Sequence, residues 1–145
     1  MSGKIDELKK EVWTHFKDFQ YVFLATAEGN QPRVRPVTLI CFDTKFWITT
    51  DTGSAKVKQI QGNPNIEFCL YLQKDGKEGY VRVSGMAKTI KDRKTKEKVA
   101  DHCDFLTKHW KSVDDPGYTL IEICPKEIEY IRPGLGEFQP QRFKI

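Results

Sequence analysis

The chain lacks any apolar run approaching the length of a bilayer span, and its N-terminus is charged and amphipathic rather than apolar. A membrane helix needs about 20 consecutive apolar residues, so neither a spanning helix nor a secretory leader is expected, and a cytoplasmic setting is the reading. Cysteine is sparse. Cys41, Cys69, Cys103 and Cys124 stand far apart, with no C-x-x-C pair. That spacing speaks against a disulfide framework and against zinc, and the apolar strand patterns around Cys41, Cys69 and Cys124 make them small buried hydrophobes in a reduced protein. Charge of one sign is modest too: 24 basic against 20 acidic residues gives a formal net charge of +4. The lysines gather at 4–17 and 88–98, where they read as solvated helix faces. Without a basic stripe, a C₂H₂ pattern or a helix-turn-helix, no nucleic-acid partner is expected. Ser84-Gly85 lies inside a strand pattern and lacks the elbow of a serine nucleophile. His102 and His109 fall two turns apart on one predicted helix, too far for the usual i,i+4 metal pair, and His15 lies on the polar border of the first helix, so no metal is expected.

What the chain has is aromatics: nine Phe, five Tyr and three Trp. They argue against disorder, and 145 residues suit one domain, 1–145, that buries a core without staples. Ile5, Leu8, Val12 and Phe16 recur at helical spacing, predicting a helix over 3–18 with Ser2 as its cap and Asp6 and Glu7 in its first turn. The period then changes. Strands are predicted at Tyr21–Thr26, 33–42, Lys45–Thr50, Ile66–Gln73, Tyr80–Ile90, Tyr118–Cys124 and Ile128–Arg132. Glu28-Gly29-Asn30, Asp43-Thr44, Asp75-Gly76 and Asp115-Pro116-Gly117 supply the turns. Ser54 is placed to cap a short helix to about residue 61, ended by Gly62-Asn63-Pro64. A longer helix is predicted over 92–110, with Val99, Cys103, Leu106 and Trp110 on one face. The tail from 133 to 145 reads as irregular. Strands adjacent in sequence, with helices between them, predict a mainly β, α+β protein: an antiparallel closed or partly closed barrel with peripheral helices.

Chemistry concentrates in two stretches, Arg33-Val34-Arg35-Pro36-Val37-Thr38 and Thr49-Thr50-Asp51-Thr52-Gly53-Ser54-Ala55-Lys56. A phosphate dianion wants a planar guanidinium fork, a mobile ammonium, hydroxyl donors and close backbone approach. Arg35, Lys56, Thr50 and Ser54 supply the first three, and Gly53 allows the fourth. Pro36 removes a ladder donor inside its strand, so that position should face an edge, a bulge or a ligand. The competing reading is structural: Ser54 only caps its helix, Lys56 and Lys58 only face water, and Arg33 and Arg35 lie on a solvated strand face.

These stretches, together with Phe23-Leu24-Ala25-Thr26, Phe46-Trp47-Ile48-Thr49-Thr50, Asn63-Pro64, Val81-Arg82-Val83-Ser84-Gly85-Met86-Ala87 and Asp114-Asp115-Pro116-Gly117-Tyr118, resemble the pyridoxamine 5′-phosphate oxidase-like FMN-binding split barrels, in the general stress protein branch. The resemblance runs across nearly the whole chain. It implies an antiparallel split β-barrel, a homodimer, and FMN at the subunit interface. Arg35 and Lys56 would reach the phosphate, with Thr50 and Ser54 adding hydroxyls. Val37 and Thr38 would present backbone to the isoalloxazine edge, and Thr49 would lie beside the ring or ribityl chain. Related split barrels hold a deazaflavin or heme instead, and a non-catalytic flavin binder would use the same residues. Tyr80 stands where the oxidases tend to carry glutamine, and Ala55 where they often carry a second basic residue. Their Trp/Arg-rich ending is absent here, so pyridoxamine oxidation is not carried over. Arg142 remains a candidate for an anionic substrate, and Phe138 or Phe143 for covering a partner's flavin.

Overall fold

The computed structural model describes residues 2–134 and 139–145, Ser2 by its backbone alone. Its strands are β1 (Phe19–Glu28), β2 (Gln31–Phe42), β3 (Lys45–Asp51), β4 (Asn65–Lys74), β5 (Lys77–Ile90), β6 (Tyr118–Gly134) and β7 (Gln141–Lys144). The helices are α1 (Ser2–Trp13), α2 (Ala55–Gly62) and α3 (Arg93–His102), followed by one 3₁₀ turn at Leu106–Lys108. The sheet runs β3-β2-β1-β4-β5-β6-β7, every pair antiparallel, and β3 also pairs with β6. That last pairing closes β1 to β6 into a barrel and leaves β7 outside it. The mainly β barrel expected from the sequence is therefore present. No helix among the described residues is long and apolar enough to cross a membrane.

Two turns are fixed by backbone chemistry. Asp43 and Thr44 both take positive φ (56° and 57°), as do Asp75 and Gly76 (53° and 76°). A two-residue hairpin of this kind matches the twist of its strands.

Alternation along the strands fills the barrel. Leu24, Leu39, Phe46, Phe68, Val83, Ile121, Ile123 and Ile128 point inward and are buried. A second apolar layer lies outside, where Ile40, Trp47, Tyr118 and Leu120 pack against Val99 of α3, against Cys103 just after it and against Leu106. Strand β3 is covered on both faces, so Phe46, Trp47 and Ile48 form a continuous buried run rather than an alternating one.

Several expectations change. Helix α1 ends at Trp13 rather than 18. The chain turns there, with the His15 and Phe16 amides donating to the Val12 and Trp13 carbonyls. Phe16 still reaches the barrel, its ring 4.9 Å from Phe46. Asp6 and Glu7 lie beyond the first turn of α1, and the expected Ser2 cap falls outside the described side chains. The helix predicted over 92–110 stops at His102; its start is firm, with the Asp92 carboxylate accepting from the Thr95 amide (3.1 Å) and hydroxyl (2.6 Å). The two last predicted strands are one, β6, running through Pro125. The tail is not irregular throughout: β7 pairs with β6, and Phe143 is buried in the barrel core.

The passage of β6 through Pro125 depends on Gly85. The β5–β6 register shifts between Ser84 and Gly85, and Gly85 pairs with Pro125. A Cβ at Gly85 would overlap the Cys124 carbonyl oxygen, which is backbone and cannot swing away. Gly85→Ala should therefore destabilise the protein by about 3 kcal/mol, read as a lowered urea midpoint with unchanged slope. A midpoint within error of the parent would show that β6 yields at this point.

Candidate functional site

Strands β2 and β3 pair only at Ile40–Trp47, Cys41–Phe46 and Phe42–Lys45. Past Ile40 and Trp47 they separate. β2 continues beside β1 as far as Gln31, while β3 continues beside β6 as far as Asp51. The barrel wall thus splits, and the facing edges lose their partners. A cleft of about 310 Å³ opens there, bordered by Pro36, Val37 and Thr38 on one side and by Ile48, Thr49, Thr50 and Asp51 on the other. Pro36 sits in the stretch without a β3 partner, the edge position its missing N–H called for.

Lys56 lines the same cleft from the first turn of α2. The turn after β3 is short, closed by the Ser54 amide donating to the Asp51 carbonyl (3.0 Å). It folds Lys56 back over the strand it follows, so that Nζ donates to Thr50 Oγ1 at 2.7 Å. Thr50 Oγ1 lies 3.1 Å from Ser54 Oγ. Ser54 occupies the cap position of α2 but its side chain makes no cap hydrogen bond; the hydroxyl goes to Thr50 instead. The purely structural reading of Ser54 and Lys56 is therefore not what the geometry shows. Lys58 does face water.

Arg35 stands one step away and does not line the cleft. Its guanidinium donates to Thr26 Oγ1 (2.9 Å), to Gln59 Oε1 (2.7 Å) and to the Leu24 carbonyl (3.3 Å). Gln59, buried on α2, also accepts from Thr26 (2.6 Å) and donates to Glu28 (2.9 Å). Thr26 and Gln59 thus orient the arginine. Its charge is felt at Lys56. Burial, and then Arg35, hold the Lys56 ammonium below the ordinary lysine range, while Asp51 acts the other way. Burial and the charge of Arg33 lower Arg35 as well. Among the described residues neither cation has a carboxylate within 4.0 Å. Arg33 differs, lying exposed with Glu28 at 3.8 Å.

The outer wall of the cleft comes from the segment after α3: Phe105, His109 and Trp110. Trp110 Nε1 donates to Asp51 Oδ1 at 2.9 Å, and the indole meets the Tyr118 ring at 5.1 Å.

Sequence reasoning thus brought Val37, Thr38, Thr49, Thr50, Ser54 and Lys56 to one place and left Arg35 beside it. It missed Thr26, Gln59, Phe105, His109 and Trp110. No local signal after Leu106 marked the end of the predicted helix, since Trp110 keeps the spacing of Val99, Cys103 and Leu106.

Two other features bear on the choice of site. A cavity of about 460 Å³ lies between α1, the β4–β5 hairpin and the end of β6. Four of its polar groups pair with one another: Tyr130 donates to Glu11 at 2.6 Å, Arg132 makes two bonds of 2.7 Å to the same carboxylate, and His15 Nε2 meets the Tyr130 hydroxyl at 2.9 Å. The cleft differs in setting Lys56 beside two hydroxyls, those of Thr50 and Ser54, at strand edges left open by the split. The cysteines are no rival centre. Burial pushes the thiol of Cys41 up to about 12 and that of Cys103 to about 11, so neither is a ready thiolate.

The donor set fits a phosphate dianion. Lys56 offers an ammonium without an anionic partner, Thr50 and Ser54 offer hydroxyls that rotate to donate, and Arg35 adds a second positive charge. The open strand edges at Val37–Thr38 and Thr49 offer backbone groups to a flat ring system beside it.

The family model described as Pyridoxamine 5′-phosphate oxidase matches residues 8–132. No curated protein matches the sequence. Among solved structures, general stress protein 26 from Bacillus anthracis str. Sterne is 26% identical, with a TM-score of 0.74 over 95% of this chain and 98% of that one. An FAD-binding protein from Mesorhizobium loti is 20% identical, with a TM-score of 0.66 over 85% of this chain and 89% of that one. A heme binding protein from Mycobacterium smegmatis is 12% identical, with a TM-score of 0.71 over 88% of this chain and 53% of that one. The last two speak for the fold alone.

Proposed function

The chain belongs to the pyridoxamine 5′-phosphate oxidase family, and from that premise we propose that it is an FMN-binding flavoprotein, a homodimeric oxidoreductase acting on a small molecule. The observation that carries the reading is the grouping of Lys56 with the Thr50 and Ser54 hydroxyls, near Arg35 and without a carboxylate pair, at the mouth of the split between β2 and β3. When bound, FMN supplies two-electron redox chemistry by cycling between oxidised and reduced forms. The chain's own residues do the rest. Lys56, Thr50 and Ser54 hold the phosphate. Arg35, fixed by Thr26 and Gln59, adds positive potential. Backbone groups of Val37, Thr38 and Thr49 orient the ring edge, and Phe105 and Trp110 keep water from its outer side. No side chain in the cleft is assigned as an acid or base.

The dimer is motivated by an exposed apolar face. Tyr21, Phe23, Val34 and Tyr71 are 79%, 53%, 68% and 51% exposed. They neighbour one another through the β2-β1-β4 register, with Phe23 opposite Pro36 and Tyr21 opposite Thr38. The face therefore adjoins the cleft, and a second copy covering one would close the other. A large apolar patch left open is unusual for a monomer.

Pyridoxamine phosphate is not proposed as substrate. Arg142 donates to Glu129 at 2.6 Å, and Phe143 is buried. Neither is free for the roles expected of the tail, and Phe138 lies outside the described residues.

The test is a visible spectrum of the purified protein, mass identification of released ligand, and FMN titration of the stripped form with NAD(P)H reduction. Saturable FMN with turnover on an acceptor supports the enzyme. Tight FMN without turnover supports a flavin store or sensor. A deazaflavin or heme spectrum, or no binding by a folded protein, overturns the FMN reading.

A further inference from the structure

Asp51 should spoil the phosphate site. It is the residue after Thr50, it is exposed, and it borders the same cleft as Lys56. A carboxylate so placed ordinarily turns to a nearby ammonium, which would neutralise Lys56 and repel a dianion. It does not do so here. Lys56 Nζ donates to Thr50 Oγ1, and Asp51 Oδ1 accepts from Trp110 Nε1 at 2.9 Å.

We propose that Trp110 is a positioning residue whose indole N–H holds the Asp51 carboxylate away from Lys56, keeping Lys56 free for the ligand phosphate. The inference rests on reading the cleft as the FMN site and deepens it.

The geometry holding Trp110 is built rather than incidental. Its amide donates to the Leu106 carbonyl at 3.0 Å. Its ring packs edge-on against Tyr118, 5.1 Å between centroids, and Tyr118 is the β6 residue opposite Asp51. Next along, the Thr52 amide donates to the Gly117 carbonyl (2.8 Å), and the Thr52 hydroxyl donates to the Pro116 carbonyl (2.9 Å). The indole and the carboxylate are thus fixed by the same strand pair and its flanking turn. Among the described residues, the charged and titratable groups around Lys56 are Arg35, Asp51 and, across the cleft, His109. Of these only Asp51 can supply a competing negative charge.

Trp110→Phe keeps an aromatic ring against Tyr118 and removes the N–H. The released Asp51 then pairs with Lys56. FMN should bind about ten-fold more weakly, with riboflavin, which lacks the phosphate, changed less than about two-fold. Trp110→Phe combined with Asp51→Asn should bring FMN back to within about two-fold of the parent, because the freed side chain carries no charge. A readout without flavin is the titration of Lys56 Nζ by NMR in the ligand-free protein. Its pKa should rise in Trp110→Phe and return in the double variant.

Equal losses for FMN and riboflavin with no recovery in the double variant would make Trp110 a mere wall of the cleft and overturn the proposal. An unmoved Lys56 titration in Trp110→Phe would overturn it as well. If the parent binds neither flavin, the cofactor reading fails by itself, and the Lys56 titration still decides whether Trp110 restrains Asp51.

Discussion

Replacing Lys56 with alanine should weaken FMN binding about thirty-fold while leaving riboflavin within a factor of about two. The figure comes from the value of one charge-assisted hydrogen bond, about 2 kcal/mol, in a half-buried setting. Among the described residues Lys56 is the cation that both lines the cleft and lacks a carboxylate partner, so in the proposed site its loss would remove an ammonium donor to the phosphate and nothing from the ring. The fold should survive, since the side chain's one hydrogen bond is to the Thr50 hydroxyl, which keeps Ser54 at 3.1 Å. Arg35→Ala is a harsher change, because it also strips a donor from buried Gln59 and Thr26, and its effect on FMN should come with a lower melting temperature.

The same lysine limits the pH range. In the ligand-free protein, burial and Arg35 hold Lys56 below the ordinary lysine value, and a bound dianion pulls it back up. FMN affinity should therefore fall as pH rises through the ligand-free Lys56 value, and fall again below about pH 6, where the phosphate takes its second proton. Riboflavin should show neither limb. Paired titrations of both ligands across pH check this. Parallel losses for FMN and riboflavin, in Lys56→Ala or in the pH series, would move the phosphate elsewhere.

The barrel was legible in the sequence because alternation and turn chemistry are local. Asp75-Gly76 supplies residues that tolerate the positive φ the turn needs, and a hairpin follows from it; at Asp43-Thr44 only Asp43 does, since β-branched Thr44 takes φ 57° against its preference. The grouping around Lys56 was legible because Thr50, Ser54 and Lys56 lie on one turn and cannot be far apart. Arg35 was read as an arginine that reaches the phosphate; it stands beside the cleft rather than lining it, and its orientation depends on Gln59, which is 24 residues on. Nothing local reveals such a pair. The same reason hid β7: its pairing to Glu127–Tyr130 of β6 and the bond from Arg142 to Glu129 are tertiary facts. Pro125 misled in the opposite sense. A proline usually breaks a strand, and here a register shift at Gly85 carries the strand past it. Trp110 misled through periodicity. Its spacing from Val99, Cys103 and Leu106 fits one helical face, but α3 stops at His102, and the residues after it follow a different path onto the cleft.

Phe23→Arg should convert the protein to a folded monomer that binds FMN at least about a hundred-fold more weakly than the parent. Phe23 lies at the middle of the exposed β2-β1-β4 face, opposite Pro36 on one side and Cys69 on the other. Its neighbours Val22 and Leu24 point into the barrel and are fully buried, so Phe23 points away from the core and its replacement leaves the barrel interior intact. An arginine there would meet its own copy or an apolar surface across a two-fold interface, and an unpaired charge buried in this way costs several kcal/mol. The cleft would then lose whatever cover the second copy gives, because Pro36 and Thr38, which border it, are the β2 partners of Phe23 and Tyr21. Sedimentation and FMN titration on the same sample separate the possibilities. A monomer with parental affinity would show that one chain completes the site alone. A dimer unaffected by Phe23→Arg would put the interface on another face and leave this apolar surface to a different partner.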